Sequence, residues 1–166
     1  MESVVHPIPP LYDGESKILI LGSFPSVKSR EGHFFYHHPQ NRFWKVLAGV
    51  TGAELPVTIE DKKAFLHSHH IAVWDTIASC TITGSSDSSI RDVVPNDLSA
   101  ILSEAPIRQI YCNGKTSYQY FRKYQEKTLG RTAISLPSTS PANAAWSLPR
   151  LCDAWKCILE QTEEPT

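Results

Sequence analysis

The sequence predicts a three-layer α/β/α sandwich built on a short four-stranded parallel sheet. Two observations point there. Four short apolar runs rich in β-branched residues lack the in–out alternation of a half-exposed strand, so they read as strands covered on both faces. Segments with helical spacing of apolar residues fall between them, and strands alternating with helices build a parallel sheet. With 166 residues, 41% of them hydrophobic, the chain fits one compact domain over residues 1–166.

In chain order, the strand runs cover residues 17–21, 71–74, 107–112 and 132–136. Residues 41–49 place Phe43, Val46 and Leu47 at helical spacing and stop at Gly49. Thr58 followed by Glu60 and Asp61 reads as a capped helix start, with acids near the positive end of the dipole. Asn96 reads as the cap of a helix over 97–104, and residues 117–127 carry Tyr120, Phe121 and Tyr124 on one side. Pro149 opens a last helix whose Leu151, Trp155, Ile158 and Leu159 form an apolar stripe.

Composition excludes several classes. No apolar run approaches the ~18–20 residues that span a bilayer, and residues 1–11 lack a signal-peptide pattern, so a soluble, cytoplasmic protein is expected. Cys80, Cys112, Cys152 and Cys157 form no C-x-x-C pair and read as reduced, small core hydrophobes. The histidines at 33, 37 and 38 and at 67, 69 and 70 lack a neighbouring cysteine or an H-E-x-x-H pattern, so neither a metal nor a cofactor is expected. A net charge of −1 is low for a protein that coats nucleic acid. It leaves room for one that grips a few phosphates with amides and hydroxyls and closes a pocket over one base.

Function in an open parallel sheet gathers in the loops at the carboxyl ends of the strands. Here those loops begin at Gly22, Asp75, Asn113 and Pro137. The first, Gly22-Ser23-Phe24-Pro25-Ser26, matches neither G-x-G-x-x-G nor G-x-S-x-G, which argues against a dinucleotide site and a nucleophile elbow. Its continuation through Phe34, Phe35 and Tyr36 has the composition of a wall that stacks on a flat ligand, or of a loop packed on the core. Asn41, at the start of the next helix, either caps it or faces the pocket.

Leu21-Gly22-Ser23-Phe24-Pro25-Ser26, followed by the aromatic stretch and His38-Pro39-Gln40-Asn41-Arg42-Phe43-Trp44, resembles the first motif region of the uracil-DNA glycosylase superfamily. Asn113-Gly114-Lys115 is similar to the N-G-K of its thymine glycosylases, and Leu136-Pro137-Ser138-Thr139-Ser140-Pro141 to their second motif. Together these matches span about residues 19–146 in family order. One departure is informative. The loop asparagine that helps activate water in the mismatch-specific relatives aligns with Phe24, which has no such capacity. With Tyr36, Trp74-Asp75 and Ser86-Asp87-Ser88-Ser89-Ile90, this departure is similar to the hypoxanthine (deoxyinosine) DNA glycosylase branch.

The resemblance implies a uracil-DNA glycosylase-like fold and hydrolysis of the N-glycosidic bond of a deaminated base in DNA, hypoxanthine above all. It makes Asn41 the catalytic amide, positioning water or binding the base edge. Gly22, Ser23, Phe24, Tyr36 and Asp75 become the base-binding set, with Tyr36 stacking and the amides of Ser23 and Phe24 donating. Asp75 reads equally as a base acceptor or a turn cap. Ser138, Thr139, Ser140 and Lys115 become contacts to the DNA backbone, and 141–143 the foot of a wedge. The implied partner is double-stranded DNA carrying the deaminated base, with single strands a further candidate, and the default assembly is a monomer. Two alternatives stand beside this reading: a G:U/T mismatch-specific uracil glycosylase, and a non-catalytic module that binds damaged DNA.

Overall fold

The structure is a computed structural model that describes residues 2–162. Met1 and residues 163–166 of the expected domain lie outside the described residues. The strands are β1 (Glu2–Val5), β2 (Ile18–Gly22), β3 (Ile71–Asp75), β4 (Ile77–Ile82), β5 (Arg91–Pro95), β6 (Gln109–Asn113) and β7 (Ala133–Leu136). The helices are α1 (Val27–Gly32), α2 (Phe43–Thr51), α3 (Ile59–Ser68), α4 (Ser99–Glu104), α5 (Lys115–Tyr124), α6 (Glu126–Leu129), α7 (Leu148–Trp155) and α8 (Leu159–Thr162).

The four expected strands form a four-stranded parallel sheet in the order β3-β2-β6-β7. Alternate side chains of these strands point to opposite faces, and both faces are covered. Ile18, Ile20, Ile71, Val73 and Tyr111 pack with Phe43, Val46 and Leu47 of α2, Leu66 of α3, and Leu151 and Trp155 of α7. Leu19, Leu21, Ala72, Ile110 and Cys112 pack with Ile101 of α4 and Phe121 of α5. Burying each such side chain contributes ~1.5–3 kcal/mol, which is why these continuous apolar runs become central strands. The register sets Gly22 opposite Asp75, and Asn113 opposite Leu136. The carboxyl ends of all four strands therefore share one edge of the sheet.

A second sheet, absent from the sequence reading, is antiparallel and ordered β1-β4-β5. It begins where the chain reverses at Thr76, whose N–H donates to the Gly22 carbonyl at 2.8 Å while Ile77 N–H donates to that of Ser23 at 3.1 Å. Its core joins Ile77, Cys80 and Ile82 to Phe24 and Ile90.

The expected helix starts are adjusted locally. Thr58 caps α3, accepting from Asp61 N–H at 3.0 Å. The helix expected over 41–49 begins instead at Phe43. Ser147 caps α7 with Pro149 inside its first turn, and a 3₁₀ turn over Lys156–Ile158 separates α7 from α8. The expectation for Asn96 fails. Its neighbour Asp97 accepts from Ser99 N–H at 2.9 Å, while buried Asn96 donates to the carbonyls of Asp75 (2.9 Å) and Ile77 (3.1 Å). An amide with four bonding sites is worth more as a buried tie at the β3–β4 reversal, where those carbonyls need donors.

Cys80 and Cys112 are buried, and burial pushes the Cys112 thiol up to about 12, which keeps it protonated and inert. Among the described residues no helix is long and apolar enough to cross a membrane.

Candidate active site

A cavity of about 330 Å³ opens at the shared carboxyl edge of the parallel sheet. It gathers every residue of the expected catalytic and base-binding sets: Asn41, Gly22, Ser23, Phe24, Tyr36 and Asp75. Ser138, Thr139 and Ser140 line it as well. Lys115 does not; it is the exposed first residue of α5.

Asn41 is held on one side. The turn before α2 closes when Asn41 N–H donates to the His38 carbonyl at 3.0 Å. Asn41 Oδ1 then accepts twice, from Phe43 N–H at 3.0 Å and from the Thr139 hydroxyl at 2.8 Å. A backbone N–H needs an acceptor, so these bonds assign which end of the amide is oxygen. Both readings of Asn41 thus hold: it serves the helix start and lines the cavity. With both lone pairs of Oδ1 used, Nδ2 is the end left for a ligand.

Thr139 is fully buried. Its N–H donates to Asn113 Oδ1 at 3.1 Å, and its hydroxyl accepts from Asn113 Nδ2 at 3.0 Å. Its amide and hydroxyl are spent within the protein. Of the three loop residues expected to meet phosphates, Thr139 is therefore turned inward as a strut, because its bonds to Asn41 and Asn113 satisfy polar groups that burial would otherwise strand. The Ser138 hydroxyl accepts from Ser140 N–H and the Ser140 hydroxyl from Ala142 N–H, each at 3.1 Å, so both shape the loop at the cavity rim. Gly114, at φ 98°, permits this approach: a Cβ there would sit 3.1 Å from that of Ser138. Arg42 staples the same loop. Its guanidinium donates to the carbonyls of Ser140 (3.1 Å), Asn143 (3.0 Å) and Trp146.

The other side is built around Gly22. A Cβ at Gly22 would lie 2.3 Å from Asp75 Oδ1 and 3.1 Å from the Tyr36 hydroxyl, so only glycine lets the strand end meet both groups. Tyr36 has a left-handed backbone at φ 49°, held by the Trp44 indole N–H, which donates to its carbonyl at 3.2 Å. Its ring stacks on Phe43 with centroids 3.8 Å apart, leaving the opposite face and the hydroxyl for a ligand. That hydroxyl is buried without a hydrogen-bond partner. Burial, then the nearby charge of Asp75, raises its pKa against a smaller opposing effect of the neighbouring Asn113 amide, so it stays a neutral donor.

Asp75 is buried, and its Oδ2 lies 2.7 Å from His6 Nε2. The Ser23 hydroxyl donates to Asp87 at 3.0 Å, placing a second carboxylate on the cavity. Desolvation raises the Asp87 pKa; Ser23 opposes this, Asp75 adds to it, and Thr116 opposes it. Phe24 turns its ring into the second sheet's core, edge-on to His6 at 5.8 Å. His38 Nδ1 accepts from Gln40 N–H at 3.1 Å, which puts the ring proton on Nε2.

The sequence reading gave no role to four residues that shape this site: His6, Arg42, Asp87 and Asn113. Arg42 and Asn113 sit inside the motifs of the resemblance and Asp87 inside the 86–90 stretch, so proximity to a motif marks them. For His6, 69 residues from its partner, there is no such signal.

A family model for the uracil DNA glycosylase superfamily matches residues 9–160. Two similar proteins bear the name hypoxanthine DNA glycosylase. The one from Methanosarcina barkeri is 33% identical over 114 residues, covering 68% of this chain and 72% of its own. The one from Methanosarcina acetivorans is 32% identical over 152 residues, covering 90% of this chain and 94% of its own. A solution NMR structure from Methanosarcina acetivorans, provisionally described as a uracil DNA glycosylase, matches with a TM-score of 0.80 at 31% identity and covers 95% of this chain and 97% of its own.

Proposed function

The chain belongs to the uracil DNA glycosylase superfamily, and from that premise we propose that it excises hypoxanthine from DNA by hydrolysing the N-glycosidic bond. Water adds its hydroxyl to the sugar C1′, and the base leaves carrying a proton at the nitrogen that bore the sugar. The bond breaks through a cation-like sugar, as in other glycosyl transfers. The target must first leave the stack, at a cost of a few kcal/mol that a mispaired, deaminated base lowers.

The observation that carries this reading is the fixed amide of Asn41. Its oxygen is occupied by Phe43 and Thr139, so it acts on the reaction as a donor. Donation through Nδ2 holds the oxygen of a water or stabilises charge on the departing base, and the amide needs no reorganisation as the reaction proceeds. Asp75 supplies the base reader. Hypoxanthine presents an N–H beside a carbonyl; adenine presents a bare ring nitrogen beside an amine. A carboxylate oxygen accepts from the first and repels the second. The neutral Tyr36 hydroxyl, lacking a partner, donates to the carbonyl. Uracil has a similar edge, so its release is the expected secondary activity. Phe24, turned into the second core, weighs against a mechanism that draws on the first loop for its amide.

The rim hydroxyls of Ser138 and Ser140, which accept within the loop and keep their O–H groups to donate, grip the backbone of double-stranded DNA with Lys115 beyond them, which suits a net charge of −1. Labelled duplexes carrying single hypoxanthine, uracil, xanthine or thymine lesions, treated with alkali after incubation, test the reading. Hypoxanthine duplexes are cleaved fastest. Strong uracil release without hypoxanthine release reverses the substrate, and binding without an abasic product makes the protein a damage-recognition module.

A further inference from the structure

His6 directly follows β1, far in the sequence from every motif. Its side chain is 3% exposed and that of Asp75 is 6% exposed. The ring is enclosed by Phe24, Trp74 and Phe35, with centroids 5.8, 6.0 and 6.4 Å away. Its backbone N–H donates to the Ala78 carbonyl at 2.8 Å, which ties this arm to the second sheet.

The two ring nitrogens have fixed and different duties. Nδ1 accepts from Ile8 N–H at 3.1 Å, so the ring proton of a neutral imidazole sits on Nε2. Nε2–H then donates to Asp75 Oδ2 at 2.7 Å. A neutral donor leaves Asp75 an anion, with Oδ2 engaged and Oδ1 aimed past Gly22 beside the Tyr36 hydroxyl. Fixing one oxygen of a carboxylate fixes the plane and direction of the other, as outer partners do for buried ligating groups.

We infer that His6 is the positioning residue that holds Asp75 as an oriented anionic acceptor, so that discrimination between a base N–H and a bare ring nitrogen depends on the N-terminal arm. This rests on the proposed role of Asp75 as base reader. Without the His6 donor, the buried Asp75 carboxylate loses a hydrogen bond and rotates, so Oδ1 no longer faces the base N–H.

The test is single-turnover release of hypoxanthine and of adenine, each opposite thymine, by the wild type and by His6→Leu, His6→Gln and His6→Asn. The Gln amide nitrogen sits where Nε2 does and reaches Oδ2; that of Asn sits nearer Nδ1 and falls short. His6→Leu and His6→Asn lose about 10- to 100-fold in hypoxanthine kcat/KM, and the preference over adenine falls with it. His6→Gln restores most of both. A merely structural histidine would not make longer and shorter amides differ at equal Tm. Equal behaviour of His6→Gln and His6→Asn, or wild-type preference in His6→Leu, overturns the inference. Should His6→Leu not fold, the Gln–Asn pair decides alone. Absence of hypoxanthine release by the wild type overturns instead the proposed function itself.

Discussion

The two sides of the cavity differ in what their polar atoms are doing. Around Asn41, Thr139 and Asn113 the hydrogen bonds close on one another: amide to hydroxyl, hydroxyl to amide, backbone N–H to amide oxygen. Around Gly22 they stay open. The Tyr36 hydroxyl is buried and unpartnered, and one oxygen of Asp75 looks past a glycine into the cavity. A closed network fixes geometry before a ligand arrives; an open one holds bonding capacity in reserve at a cost in stability. Catalysis needs the first and base recognition needs the second, and the protein keeps them apart.

The largest effect on stability comes from breaking the closed side. Arg42→Ala removes a charged donor from three loop carbonyls. It costs about 2–3 kcal/mol of stability by denaturant melt and about 100-fold in single-turnover excision, since displacing a positioned group by ~1 Å has that consequence. Retention of the rate would mean the loop holds itself. Next comes Asp75→Asn on the open side. Hypoxanthine release falls by about 10- to 30-fold, with less effect on stability than Arg42→Ala. An unchanged base preference, measured on the lesion panel, would remove its reading role. The smallest effect sharpens the contrast. Tyr36→Phe removes a buried, unpartnered hydroxyl, so the thermal midpoint stays level or rises by the equivalent of about 1 kcal/mol, while excision drops a few-fold. A clear loss of stability would show that the hydroxyl is already bonded in the free protein.

The same division governs what the sequence disclosed. The parallel sheet was legible because Ile18, Leu19, Ile20 and Leu21 admit no exposed face, and the loops after Gly22, Asp75, Asn113 and Leu136 followed from it. The second sheet was not. Glu2–Val5 and Arg91–Pro95 are largely exposed and gain their structure by pairing with β4 rather than from their own pattern. Asn41 could be placed at a helix start, and the family resemblance gave it a role. That its oxygen is spent on Thr139 follows only from a contact 98 residues away. Thr139, in a serine-rich loop, reads as a phosphate contact until its burial is seen. The His6–Asp75 pair has no periodicity to betray it.

The central claim is that Asn41 works through its nitrogen. Asn41→Asp tests it most directly, because a carboxylate of nearly the same shape still accepts from Phe43 and Thr139 but has no Nδ2 donor. Single-turnover hypoxanthine excision by this variant, at a thermal midpoint near that of the wild type, is predicted to fall by about 100- to 1,000-fold. Wild-type excision by Asn41→Asp would contradict the account, since it would show that the amide donor is not what the reaction uses.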